Sequence, residues 1–216
     1  MKRVLIGLAL TALLAVSVPA TAALETITSP EGTVSAGWNL LALPGIPVDP
    51  DPVNVLSAFE IDSVLSRWDA ATRALVIYDM WAPEVFGNML LGDGYWLETP
   101  VAGQISYQGL TDNDDMDVWI SLPKAGWSLI GNPFSTPFPW EQAKVVDGNT
   151  TVSLYDATRT NGWMNSMGWW WDNETRSLRE FGIADDWTEN VNLLPWHGYW
   201  VESYVDKIAL ILESQS

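Results

Sequence analysis

The 216-residue chain has no cysteine, so no disulfide can hold it together. Its core must be stable without covalent cross-links, although an exported protein is free to use them. It has one histidine, His197, and ten lysines and arginines against 27 aspartates and glutamates. A lone imidazole without thiols cannot by itself assemble the common zinc or nucleophile–base sites. No glycine-rich phosphate loop is present. The formal charge of −17 repels nucleic acid and anionic lipid, which excludes both as expected partners. After the N-terminus no apolar run is long enough to span a bilayer; Ile208 to Leu212 is only strand-sized.

The N-terminus itself reads as an export signal. Lys2 and Arg3 precede an apolar run from Val4 to Val18 and the small-residue site Ala20-Thr21-Ala22. That order of basic end, short apolar stretch and small-residue site fits residues 1–22 as a cleaved signal peptide, not a membrane anchor. The expected destination is the cell surface or the extracellular space, with the periplasm as the alternative, and no membrane insertion after cleavage. What replaces the missing disulfides is aromatic mass. Fourteen tryptophans far exceed ordinary usage, and each buries a large apolar area.

The chain is organised around a segment that occurs twice. Gly37-Trp38-Asn39-Leu40-Leu41-Ala42-Leu43-Pro44 returns as Gly126-Trp127-Ser128-Leu129-Ile130-Gly131-Asn132-Pro133. Trp68-Asp69-Ala70-Ala71-Thr72-Arg73-Ala74-Leu75 returns as Trp171-Asp172-Asn173-Glu174-Thr175-Arg176-Ser177-Leu178, and Gly94-Tyr95-Trp96-Leu97-Glu98 as Gly198-Tyr199-Trp200-Val201-Glu202. Ile105 and Tyr107 match Ile208 and Leu210. The copies lie 89 residues apart at the first anchor, 103 at the second and 104 at the third, which places an insertion of 14 residues before the second hairpin. Anchors in one order point to a duplication. The expected division is 24–110 for the first copy, 111–117 for an acidic linker and 118–216 for the second.

These residues resemble a bacterial secreted repeat that runs from G-W-N-L-I-S-L-P through a W-D-x-x-T hairpin to G-Y-W; the second copy resembles its G-W-N-L-I-G-N-P-Y/F variant. The resemblance implies an exported protein whose motif residues are scaffold. It departs before Gly-Tyr-Trp, where the usual P-G is replaced by Leu91-Gly92-Asp93 and by Pro195-Trp196-His197.

Alternating apolar residues and turn signals predict strands at 25–28, 38–43, 63–68, 74–80, 95–98, 104–108, 118–122 and 127–132. Short helices are expected at 52–59, with Asp51 as N-cap and Pro52 in the first turn, and at 140–146. The expected fold is mainly β (α+β with one short helix per repeat): two tandem homologous modules, each a small β-barrel or sandwich. In the W-D-x-x-T turn the Asp and Thr should bond their own backbone, and glycines beside Trp and Tyr should take positive φ or allow close backbone approach.

No catalytic set emerges, and no cofactor is expected. His197 stands where the first copy has Asp93, so it reads as a loop histidine. Glu98 and Glu202 are repeat-equivalent carboxylates; a glycosidase pair is the alternative to two outward-facing acids. Asp112, Asp114, Asp115 and Asp117 supply oxygens for Ca²⁺, but the stretch lacks the glycine and terminal acid of an EF-hand and is read first as a solvated linker. Trp163, Trp169 and Trp170 form the expected ligand-binding set, an aromatic face for stacking on sugar rings, against the reading that they pack internally. The leading function is an exported, non-enzymatic structural or interaction module of the cell surface or extracellular matrix, with a glycan or another surface protein as the candidate partner. Glycan binding through those tryptophans is the first alternative. Self-assembly through terminal strands near Ile27 and Ile208 to Leu212 is the second.

Overall fold

The computed structural model describes residues 24–59, 62–111, 115–184 and 190–214. The expected signal peptide, Asp112 and Asp114 lie outside the described residues. The elements of the N-terminal half are β1 (Leu24–Thr28), β2 (Gly37–Ala42), β3 (Ile46–Pro47), α1 (Pro52–Val55), β4 (Val64–Asp69), β5 (Ala74–Ile77), α2 (Pro83–Phe86), β6 (Gly94–Thr99) and β7 (Ser106–Leu110). The C-terminal half has β8 (Val118–Leu122), β9 (Gly126–Gly131), β10 (Phe138–Pro139), a 3-10 turn (Trp140–Gln142), β11 (Lys144–Asp147) and β12 (Thr150–Ser153). These are followed by α3 (Leu154–Arg159), β13 (Met167–Asp172), β14 (Ser177–Gly182), β15 (Asn192–Leu193), β16 (Gly198–Ser203) and β17 (Ile208–Leu212). Strand accounts for 47% and helix for 10%, so the mainly β expectation holds.

The strands form small open antiparallel sheets. β2-β6-β4-β5 in the N-terminal half has the same order as β9-β16-β13-β14 in the C-terminal half. Even the register recurs. Gly37 pairs with Thr99 and Trp38 with Glu98, while Gly126 pairs with Ser203 and Trp127 with Glu202. A second sheet accompanies each of these, β1-β7-β3 in one half and β12-β11-β17-β8 in the other. Each pair of sheets encloses a core. One gathers Ile27, Leu41, Leu65, Tyr95, Leu97, Ile105 and Tyr107; the other gathers Ile120, Ile130, Trp140, Phe181, Tyr199, Val201 and Leu210. The described sheets do not close on themselves, so the barrel form of the expectation is not what is seen.

The halves are not separate beads. They meet through the tryptophan-bearing faces of the two four-stranded sheets, and the contacts come in matched pairs. The Ala42 N–H donates to the Trp196 carbonyl at 3.2 Å, and the Gly131 N–H to the Gly92 carbonyl at 2.8 Å. Leu41 bridges His197 and Ile130 bridges Asp93. Trp68 meets Trp200 edge-on at 5.2 Å, and Trp171 meets Trp96 at 5.6 Å. Arg73 donates to the Ala125 carbonyl and Arg176 to the Ala36 carbonyl. Such close approach needs small residues. A Cβ on Gly94 would lie 2.6 Å from the Ile130 carbonyl oxygen, and one on Gly198 3.0 Å from that of Leu41.

The hairpin turns behave as their chemistry requires. Asp69 accepts from the Ala71 N–H at 2.9 Å and from the Thr72 hydroxyl at 2.8 Å; Asp172 accepts from the Glu174 N–H at 2.9 Å and from the Thr175 hydroxyl at 2.6 Å. These bonds favour the ionised carboxylates, first through the threonine hydroxyls, and hold both below the usual aspartate range. The left-handed turn residue is arginine in both, Arg73 at φ 55° and Arg176 at φ 52°.

Several local expectations are corrected. The helix expected at 52–59 is the single turn Pro52–Val55, capped by Asp51 as expected. The helix expected at 140–146 is only a 3-10 turn, because residues 144–147 pair with β17 instead. Tertiary pairing overrides weak local propensity there. Two short helices, α2 and α3, were not expected. The extra length of the C-terminal half, expected before its second hairpin, includes the β11–β12 hairpin. Finally, β17 runs between β11 and β8, so Ile208 to Leu212 offers no free edge for self-assembly. β1 does remain at the edge of its sheet.

Candidate functional site

The three expected ligand-binding tryptophans do not form one face. Successive side chains of a strand alternate sides, so Trp169 and Trp171 point towards the other half while Trp170 points into its own. Trp170 and Trp163 pack against the C-terminal core. Trp170 also lies edge-on to His197 at 5.9 Å, and its indole N–H is buried without a hydrogen-bond partner. The Trp163-Trp169-Trp170 platform is therefore corrected: only Trp169 reaches an open concavity.

That concavity is a cleft of about 380 Å³ at the junction of the halves, lined by Trp68, Trp127, Trp169, Leu178 and Trp200. Its construction follows from cross-strand order. Leu129, Trp200, Trp169 and Glu180 stand side by side across β9, β16, β13 and β14. Trp127 is two residues along β9 from Leu129, on the same face and directly opposite Glu202. Trp68 arrives from β4 of the N-terminal half and donates its indole N–H to the Trp127 carbonyl at 2.7 Å. The walls meet nearly at right angles: Trp127 and Trp169 are 5.0 Å apart at 71°, and Trp68 and Trp200 5.2 Å apart at 78°. Trp127 is 37% exposed, so the cleft is open to solvent. Sequence spacing marked Trp169 but could not mark Trp200, which the pairing of β13 with β16 sets beside it, or Trp68, which reaches the site only when the halves meet.

The matching positions on the opposite side of the junction are built differently. Leu40, Trp96, Ser66 and Ile77 stand there in one row across β2, β6, β4 and β5. Trp169 thus has Ser66 as its counterpart, and Glu180 has Ile77. The four-tryptophan cleft belongs to one side only.

Two other concavities are present. A polar notch of about 360 Å³ is lined by Ala36, Gly37, Asp62, Glu98, Thr99, Pro100 and Arg176. A larger groove of about 930 Å³ runs beside β5, with Leu56, Phe59, Ile77, Tyr78, Met80 and Trp81 among its walls. Trp81 on its rim is 87% exposed.

The remaining expected site residues are placed as follows. The His197 Nδ1–H donates to the Pro195 carbonyl at 2.8 Å, and burial holds the imidazole below its ordinary pKa. Its counterpart Asp93 has the opposite problem: burial raises its carboxyl to about 6 against the opposing pull of Arg67 and Tyr95. Both residues belong to the junction between the halves. Glu98 and Glu202 each face a tryptophan across the strand, Trp38 and Trp127 respectively, and Glu202 also accepts from the Asn165 amide at 3.4 Å. Asp115 and Asp117 are exposed, and Asp117 accepts from the Ser214 N–H at 3.1 Å. Among the described residues no group of three or more His, Cys, Asp or Glu side chains could hold a metal ion, and no helix is long and apolar enough to cross a membrane.

No family model, curated protein or solved structure matches the chain.

Proposed function

We propose that the chain is an exported, non-enzymatic interaction module of the cell surface or surrounding matrix, built from two copies of one small sandwich-like β unit. The copies are 24–110 and 118–216, joined by the acidic segment 111–117. The observation that carries this reading is the matched junction. Equivalent backbone hydrogen bonds, arginines and tryptophan pairs from both halves are committed to holding the halves in one arrangement. This makes a rigid frame, and on such a frame binding belongs where the two halves differ. The four-tryptophan cleft is such a place. Glycan stacking in the cleft is the second reading, favoured by the open indole of Trp127 beside Trp169.

The test is retention of the purified protein on intact cells and isolated envelope material. The expected result is saturable retention by the unaltered protein and loss of most of it in Trp127→Ala. Retention indifferent to Trp127, or no retention at all, overturns the reading.

A further inference from the structure

The junction cleft has the chemistry of an aromatic cage, and we propose that its ligand is a small quaternary ammonium group of the choline type. This rests on the reading of the cleft as the binding site of an interaction module.

Three observations lead there. The first is wall geometry. Two tryptophan pairs at 71° and 78° present ring faces in different directions around one space, rather than the flat strip on which a sugar ring lies. A rounded cation gains from several ring faces at once, because each indole face is electron-rich. The second is the lining. Four indoles and one leucine give almost wholly apolar walls. A pyranose needs several hydrogen-bond partners for its hydroxyls, whereas an N-methylated ammonium has no N–H to satisfy. The third is charge. Glu180 lies directly across the strand from Trp169, and Glu202 directly across from Trp127. Cross-strand neighbours on one face are about 5 Å apart at Cβ. Two carboxylates thus flank the rim on a chain of net charge −17, which attracts cations.

The protein's own nearby cations are engaged elsewhere. Arg67 lies over Phe86 at 5.7 Å, Arg73 donates to the Ala125 carbonyl, and Arg179 pairs with Asp172 at 3.3 Å. On the opposite side of the junction the fourth indole and one carboxylate are absent, since Ser66 and Ile77 occupy their places. Among the described residues there is therefore one such cage.

The full chain is titrated with choline chloride and with tetramethylammonium chloride at constant ionic strength, read by tryptophan fluorescence. The comparison ligands are 3,3-dimethyl-1-butanol, which has the shape of choline without its charge, phosphocholine and cellopentaose. Expected are saturable responses to both cations and at least tenfold weaker binding of the neutral alcohol. Phosphocholine should bind more weakly than choline, because its phosphate meets Glu180 and Glu202. Trp169→Ala should weaken choline at least tenfold and Glu180→Gln about threefold, while Trp38→Ala, on the other side, leaves it unchanged. Glu180→Gln alters an exposed side chain, so it remains informative if Trp169→Ala does not fold. The inference is overturned if the alcohol binds as tightly as choline, or if neither cation gives a saturable response. Cellopentaose binding without cation binding overturns the ligand class while leaving the cleft as the interaction site. Envelope retention that depends on Trp127 without any choline response does the same.

Discussion

Gly131 is the position where the junction is most sensitive to a single methyl group. It is the counterpart of Ala42, and the two face each other where the halves meet. A Cβ built on Gly131 falls well inside contact distance of the Ala42 Cβ and 2.8 Å from the Asp93 carbonyl oxygen. Neither obstacle is the free end of a flexible side chain, so backbone must move. Overpacking of this kind costs about 3 kcal/mol at the upper end of its usual range. The loss of chain entropy in the unfolded state returns about 0.4–1 kcal/mol for Gly→Ala. Gly131→Ala should therefore destabilise by about 2 kcal/mol, which for a chain of this size lowers Tm by about 4–8 °C. The double variant Ala42→Gly/Gly131→Ala exchanges the two residues across the junction and removes the methyl–methyl clash. It should recover at least about 1 kcal/mol as a coupling energy in a double-mutant cycle. Thermal unfolding followed by tryptophan fluorescence measures both. If Gly131→Ala leaves Tm unchanged, or the exchange restores nothing, the halves do not pack through these residues.

Other outcomes follow from the same structure. Asp93, with its carboxyl raised to about 6, keeps a proton in the folded chain that the unfolded chain gives up near pH 4. Its contribution is thus present below pH 4 and lost as pH rises to 6, by up to about 3 kcal/mol. Asp93→Asn should raise Tm at pH 7–8 and flatten that slope in a pH series; an unchanged Tm at pH 7–8 would sink the assignment. His197 works the other way. Burial lowers its pKa, so it contributes stability above pH 6.5 that is lost as pH falls and the unfolded chain protonates, and His197→Gln should blunt the decline on the acid side. Trp140 is fully buried, edge-on to Phe181 at 5.4 Å, and donates to the Ser166 carbonyl at 3.1 Å. Trp140→Ala should cost about 3–5 kcal/mol in denaturant unfolding. Trp81→Ser, on the exposed rim, should change stability by no more than about 0.5 kcal/mol. A matching loss in Trp81→Ser would mean that the rim packs against something in solution.

Much of the fold was legible because strand signals are local. Alternation and turn residues placed β2, β4, β6 and β9, and Asp-x-x-Thr marked both hairpins, since an aspartate two residues before an N–H closes its own turn. The short elements were not legible in the same way. Residues 144–147 carry no strong alternation, and pairing with β12 on one side and β17 on the other makes them a strand. The candidate site was half visible. Trp169 stood out in a run of tryptophans, but alternation sends Trp170 to the opposite face.

The sequence by itself determined the recurrence, since matching residues in matching order need no coordinates to be seen. It also determined which strand residues share a face, because a period of two is a property of the extended backbone. Only the tertiary structure decided what those faces meet. The sheets bring Trp68 beside Trp127 and Trp200, 59 or more positions away along the chain. The reason lies in the range of the forces: a strand's alternation is set by neighbouring residues, whereas the burial of an indole depends on whichever surface arrives to cover it.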